Sequence, residues 1–179
     1  MNILIIGDSF ATRYNGEYPG WAEMLEKDHK VTNIAQAGVG EYKILKQLQS
    51  VTINKFDCVI VSHTSPYRIH TLSNPLHKQG FHKDCDFIYE DIKNRLPDVE
   101  KFFTEYFDLD YANYIYQLIY KEITDLLKDS QVIDTNQLNL KTLFKSNRGD
   151  VQHLDQQGNI IFYNRLQDVL RNKQISQCT

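Results

Sequence analysis

The sequence predicts an α/β fold, a mostly parallel sheet with helices on both faces. Three observations predict it. Short apolar runs alternate along the chain with amphipathic stretches of helical spacing. The first run, residues 3–6, is apolar at every position, as a strand covered on both faces must be. Turn-forming residues follow the strand runs at 7–9, at Gly38 and at 62–65, where parallel strands would bring them to one carboxyl edge.

Residues 1–6 read as the first strand, ended by Gly7-Asp8-Ser9. A helix is expected over 20–27, with Trp21, Met24 and Leu25 on one face. Residues 30–35 form a second strand, broken by Gly38-Val39-Gly40. Ile44, Leu45 and Leu48 give residues 41–49 a helical spacing, and Phe-Asp-Cys-Val-Ile-Val-Ser at 56–62 reads as a central third strand. From Thr64 to about Pro97 the pattern is irregular and polar. A long helical region then spans about 99–128 with a break near 108–110. A fourth strand follows at 131–135, a short helix near 138–144, and a closing amphipathic helix over 156–172. Ile160, Ile161, Leu166, Val169 and Leu170 are its expected buried residues.

The 179 residues suit one domain over 1–179, carrying an irregular insertion at about 66–98. With 41% hydrophobic and 24% charged residues the chain has an ordinary globular balance. A net charge of −3 without a basic stripe argues against nucleic acid as a partner. No apolar run is long enough for a membrane span or a signal core. Cys58, Cys85 and Cys178 are few, odd in number and widely spaced, a poor disulfide framework, so a cytoplasmic location is expected.

Chemistry concentrates at the two ends of the chain. A serine hydroxyl needs a neighbouring base to become a nucleophile, and Ser9 directly after a buried strand has a rigid, exposed perch. Its bland alternative is a helix cap formed by Asp8 or Ser9. Asp150-Val-Gln-His153 supplies the partners. At this spacing a carboxylate can meet the imidazole Nδ1 while Nε2 points toward a serine.

Gly7-Asp8-Ser9-Phe10 after the first strand, Asn33-x-x-x-x-Gly38 after the second, Asp150-x-x-His153-Leu154 before the last helix and Gly158-Asn159 just beyond resemble the SGNH, or GDSL-type, hydrolase family in order and over nearly the whole chain. The resemblance implies a three-layer α/β/α, flavodoxin-like fold with a mostly parallel sheet of four to five strands. It implies ester hydrolysis through an acyl-enzyme, with Ser9 as nucleophile and oxyanion donor, Gly38 as a backbone donor, His153 as base and Asp150 as its orienter. Gly40 competes with Gly38 for the donor role.

The chain departs from the family at the third block, where Gly-x-Asn-Asp is expected and His63-Thr64-Ser65-Pro66 stands. Ser65 is nearest the missing asparagine, with Thr64 or His63 as alternatives. Asp8, His63 and Arg68 are the candidate substrate-binding residues, Arg68 for an anionic group, the alternative being a surface ion pair. His77, His82 and Cys85 have spacings a metal could use, but without an evident fourth ligand neither a metal nor any cofactor is expected. The aromatic residues between Phe102 and Tyr120 suit helix packing, self-association into a homo-oligomer, or stacking on sugar rings.

The expected function is a serine esterase acting on a small or carbohydrate-linked ester, O-acetyl groups first among them, with no membrane partner. The alternatives are an acyltransferase, thioesterase or lysophospholipase on the same triad, or a catalytically silent binding module.

Overall fold

The computed structural model describes residues 1–13, 17–149 and 153–175. Four strands, β1 (Asn2–Gly7), β2 (Lys30–Asn33), β3 (Cys58–Ser62) and β4 (Val132–Asp134), form an all-parallel sheet in the order β2-β1-β3-β4. This order turns back on itself between β1 and β3, where open α/β sheets gather their ligands. The register pairs Ile5 with Asn33, Gly7 with Ser62 and Val61 with Asp134, so the carboxyl ends lie along one edge.

Alternation along the strands assigns each residue to a face. Ile3 and Ile5 of β1, with Cys58 and Ile60 of β3, face a layer made by α1 (Trp21–Leu25), α6 (Leu140–Ser146) and α7 (Gln156–Ile175). Leu4, Ile6, Val59 and Val61 face the opposite layer, α2 (Glu41–Gln49) and α5 (Leu109–Leu126). Every one of these strand residues is at most 1% exposed, which explains the unbroken apolar reading of both strands. The fold is thus the expected α/β class, with helices on both faces of a parallel sheet.

Helix boundaries follow local chemistry. The break in the long helical region is real: α4 (Pro97–Glu105) begins with proline at its first turn, and α5 begins where Asp108 accepts a hydrogen bond from Tyr111 N at 3.0 Å. Asp155 caps α7 in the same way, accepting from Gly158 N at 2.6 Å. Within α7, Phe162, Leu166 and Leu170 are buried, whereas Ile160 is exposed. At about 100° per residue Ile160 lies on the far side of the helix from Phe162, so the inward stripe is carried by the phenylalanine. Among the described residues, no helix is long and apolar enough to cross a membrane.

The end of β1 needs glycine. Gly7 has φ +150°, and a Cβ there would lie 2.6 Å from both Cβ and the carbonyl oxygen of Ser62. Gly7→Ala is therefore expected to cost roughly 2–4 kcal/mol. Urea unfolding of the two proteins reads this directly, and an unchanged midpoint would contradict the close approach of β1 to β3.

Candidate active site

The chain leaves β1 through a turn braced on three sides. The Gln47 side chain of α2 clasps Gly7, accepting from its N–H at 2.8 Å and donating to its carbonyl at 3.1 Å. Asp8 N donates to Ser62 O at 3.3 Å, and Ala11 N donates back to Asp8 O at 3.1 Å. The Asp8 carboxylate accepts from Phe10 N at 3.1 Å and from the Ser62 hydroxyl at 3.2 Å. Ser9 follows, half-buried, its carbonyl accepting from the Thr12 hydroxyl at 3.1 Å.

The structure brings Ser9 and His153 to one small pocket of about 20 Å³, walled also by Phe10, Trp21, Leu154 and Asn159. The His153 ring lies 5.6 Å from that of Phe10, tilted by 51°. Its backbone is fixed by the Gly149 N–H donating to His153 O at 2.7 Å and by the bridge between Arg148 and Leu154. Asp150 lies outside the described residues.

Two residues that sequence reasoning left out of the site form its wall. Asn159 accepts from Trp21 N at 3.0 Å and donates to the carbonyls of Leu154 and Asp155, so one buried amide ties the start of α1 to the start of α7. Trp21 Nε1 donates to Phe10 O at 2.7 Å. Gly158-Asn159 as a sequence pair was the available signal for Asn159. Nothing local marked Trp21 as more than a core residue.

Asp8 faces inward. Burial, above all, pushes its carboxyl up to about 6, against the Phe10 N–H, the Arg68 guanidinium and the hydroxyls of Ser62 and Thr64, which all favour the charged form. It braces the ends of β1 and β3 and does not line the Ser9 pocket.

The second and third blocks meet beside this brace. Gly38 has φ +72°, a left-handed conformation suited to glycine, and its carbonyl accepts from Arg68 Nη1 at 3.1 Å and from Asp86 N at 2.9 Å. The Gly40 N–H is already donated to Asp86 Oδ2 at 2.6 Å. Arg68 Nε also donates to the Thr64 hydroxyl at 3.3 Å, so this side chain joins the loop after β2 to the loop after β3. Ser65 and Arg68 line a larger cavity of about 450 Å³ between the start of α2 and the aromatic faces of α4 and α5. Neither Ser9 nor His153 lines that cavity. The Ser9 pocket and this larger cavity have no lining residue in common.

His63 takes a different position. It is buried, with Nδ1 hydrogen-bonded to Glu41 Oε1 and Nε2 4.0 Å from Asp134 Oδ2. Tyr120 donates to Asp134 at 2.7 Å, a bond that pushes the Tyr120 hydroxyl up to about 12. His63 lines a cleft with Tyr120 and Asp134, away from the Ser9 pocket.

No family model matches the chain, and no curated protein matches it in sequence. Solved structures do. The esterase EstA from Pseudoalteromonas sp., in a structure inhibited by monoethylphosphonate, is 13% identical, with 96% of this chain and 97% of that one aligned at a TM-score of 0.50. An acetyl xylan esterase, AlAXEase, is 14% identical over 94% of this chain and 99% of that one, with a TM-score of 0.48. The likeness to EstA agrees with the α/β fold described above.

The Asp8 carboxyl makes stability depend on pH with a definite sign. Unfolded, it titrates near 3.8; folded, near 6. The native state then holds the proton more tightly, so this group's contribution is most favourable below 3.8 and is lost as pH rises through 6. Asp8→Asn keeps an oxygen acceptor without the charge. It is expected to be more stable than the parent at pH 8 by on the order of 3 kcal/mol, with the gap closing toward pH 4. Urea unfolding at pH 4, 6 and 8 measures it. A gap that does not change with pH would rule out the buried charge as the cause.

Proposed function

We propose that this chain is a serine ester hydrolase of the SGNH, or GDSL, type, with Ser9 as nucleophile, His153 as general base and Asp150 as the carboxylate that orients it. One observation carries the proposal: Ser9 and His153, from opposite ends of the sequence, line the same pocket.

In the proposed reaction, Ser9 Oγ attacks the ester carbonyl carbon while its proton passes to His153. The tetrahedral oxyanion is held by the backbone N–H groups of Ser9 and Gly38. Of the two candidate glycines Gly38 is favoured, because the Gly40 N–H is spent on Asp86. The intermediate collapses as His153 gives the proton to the leaving alkoxide, and the alcohol departs. Water, deprotonated by His153, then attacks the acyl-enzyme, releasing the acid and regenerating Ser9.

The substrate proposed is a short-chain ester, an O-acetyl group on a small molecule or sugar. A pocket of about 20 Å³ beside Ser9 suits a small acyl group better than a long one. A single domain and a cytoplasmic location complete the proposal and rest on the sequence alone.

A silent binding module is the second reading, favoured by one observation: Ser65, the nearest replacement for the missing third-block asparagine, lines the larger cavity and not the Ser9 pocket. A fluorophosphonate probe separates the two readings, since it labels only an activated serine.

For the hydrolase, Ser9→Ala should reduce p-nitrophenyl acetate turnover by about 10⁴-fold or more. Acetate should be preferred over octanoate by roughly 10-fold or more in kcat/KM. Undiminished turnover in Ser9→Ala would end the proposal.

A further inference from the structure

Between β3 and α4 the chain is held by little regular structure: an isolated bridge between Ile69 and Phe87 and the one-turn helix α3 (Tyr89–Ile92). Irregular segments of this length in a compact fold need other ties. Here the ties converge on one cluster. Donor atoms of His77, Cys85 and Asp91 lie within 4.8 Å of one another, the Cys85 thiol being buried and unbridged. The His82 ring sits 5.7 Å from that of His77.

The local backbone fits such a role. His82 and Cys85 occupy the two ends of a tight turn in which Cys85 N donates to His82 O at 3.0 Å. Asp84 inside it takes the left-handed φ of 55°. A second turn closes around it, with Asp84 N donating to His77 O at 3.0 Å. Pairs of ligands separated by two residues on tight turns are how zinc is often gripped.

The surroundings of the sulfur point the same way. Asn74, 1% exposed, donates its amide to Cys85 Sγ at 3.3 Å and to Cys85 O at 3.1 Å. An amide N–H aimed at the sulfur fixes its orientation, as outer-shell partners of metal ligands do. Arg95 Nη1 donates to the outer oxygen of Asp91 at 2.9 Å, leaving Oδ2 toward His77, 2.7 Å from its Nε2. A bound cation takes the place of the proton between those two atoms.

We propose that His77, Cys85 and Asp91, with His82 as fourth donor, form a structural zinc site. One thiolate, two imidazoles and one carboxylate make a closed tetrahedral set for Zn²⁺. Ligand atoms in such a set stand about 3.3–3.8 Å apart, so around the ion the His77–Asp91 pair opens from 2.7 Å while Cys85 and His82, which lies outside the 4.8 Å group, draw in. The sequence alone showed three of the donors; Asp91 joins them only because α3 folds back on the loop.

The ion would also secure the candidate active site. A Cβ on Gly38 would lie 2.6 Å from Cys85 Cβ and 3.5 Å from the His82 ring, so the cluster backs directly onto the glycine loop. The next residue, Asp86, holds that loop through Gly38 O and Gly40 N and pairs with Lys43 at 2.8 Å. Zinc thereby fixes the segment that fixes Gly38.

The test uses the full chain and the metal alone. Metal-depleted protein is titrated with ZnCl₂ against a chromophoric chelator, and with CoCl₂ to read tetrahedral ligand-field and thiolate charge-transfer bands. One Zn²⁺ per chain, a raised Tm on binding and cobalt bands lost in Cys85→Ser are expected. His77→Gln and Asp91→Asn, at partly exposed positions, should each weaken Zn²⁺ by on the order of 100-fold. Ser9→Ala should bind the metal unchanged, which separates this proposal from the hydrolase reading. Stoichiometry near zero in folded protein, or Zn²⁺ affinity indifferent to both His77→Gln and Asp91→Asn, would overturn it.

Discussion

The pairing of β1 with β3 is the constraint on which the rest of the molecule depends. Both strands are buried on both faces, so neither can slip by one residue without exchanging one core for the other. Their register ends both at the same level, Gly7 beside Ser62. The absence of a side chain at Gly7 lets the two backbones close there. Several candidate site residues hang from that level: Asp8 against Ser62, Ser9 one residue on, and Thr64 and Arg68 on the adjoining loop.

Around that edge, polar side chains do the work that a longer sheet would do with ladder hydrogen bonds. Gln47 satisfies both backbone groups of Gly7, Asp86 holds Gly38 and Gly40, Arg68 links the loops after β2 and β3, and Asn159 joins the starts of α1 and α7. Each is a long or forked group that can serve two partners at once. Buried groups of this kind must be fully paired to be tolerated, and these contacts give the loops defined positions.

Much of the architecture could be read from the sequence because it is a matter of periodicity. The unbroken runs in β1 and β3, the helical spacing of Ile44, Leu45 and Leu48, and the Asp108 cap inside the long helical region all carry local signatures. The strands came out shorter than read: β2 stops at Asn33, whose side chain turns to accept from Ala35 N, and β3 begins at Cys58 after a helical turn at Ile53–Lys55. The site was legible only in part. Ser9 and His153 were visible as residue types in telling places. The burial of His63 between two carboxylates, the splitting of Ser65 from the Ser9 pocket and the approach of Asp91 to His77 and Cys85 are tertiary facts without a local pattern.

The pocket that holds Ser9 takes its walls from both ends of the chain, with Trp21 on one side and His153, Leu154 and Asn159 on the other. During synthesis the sheet's first three strands leave the ribosome long before α7 does. The cavity therefore cannot exist on a nascent chain, however well its early half has folded. The pocket closes only once the segment from His153 to Asn159 has been made, and a product cut short before it lacks that wall.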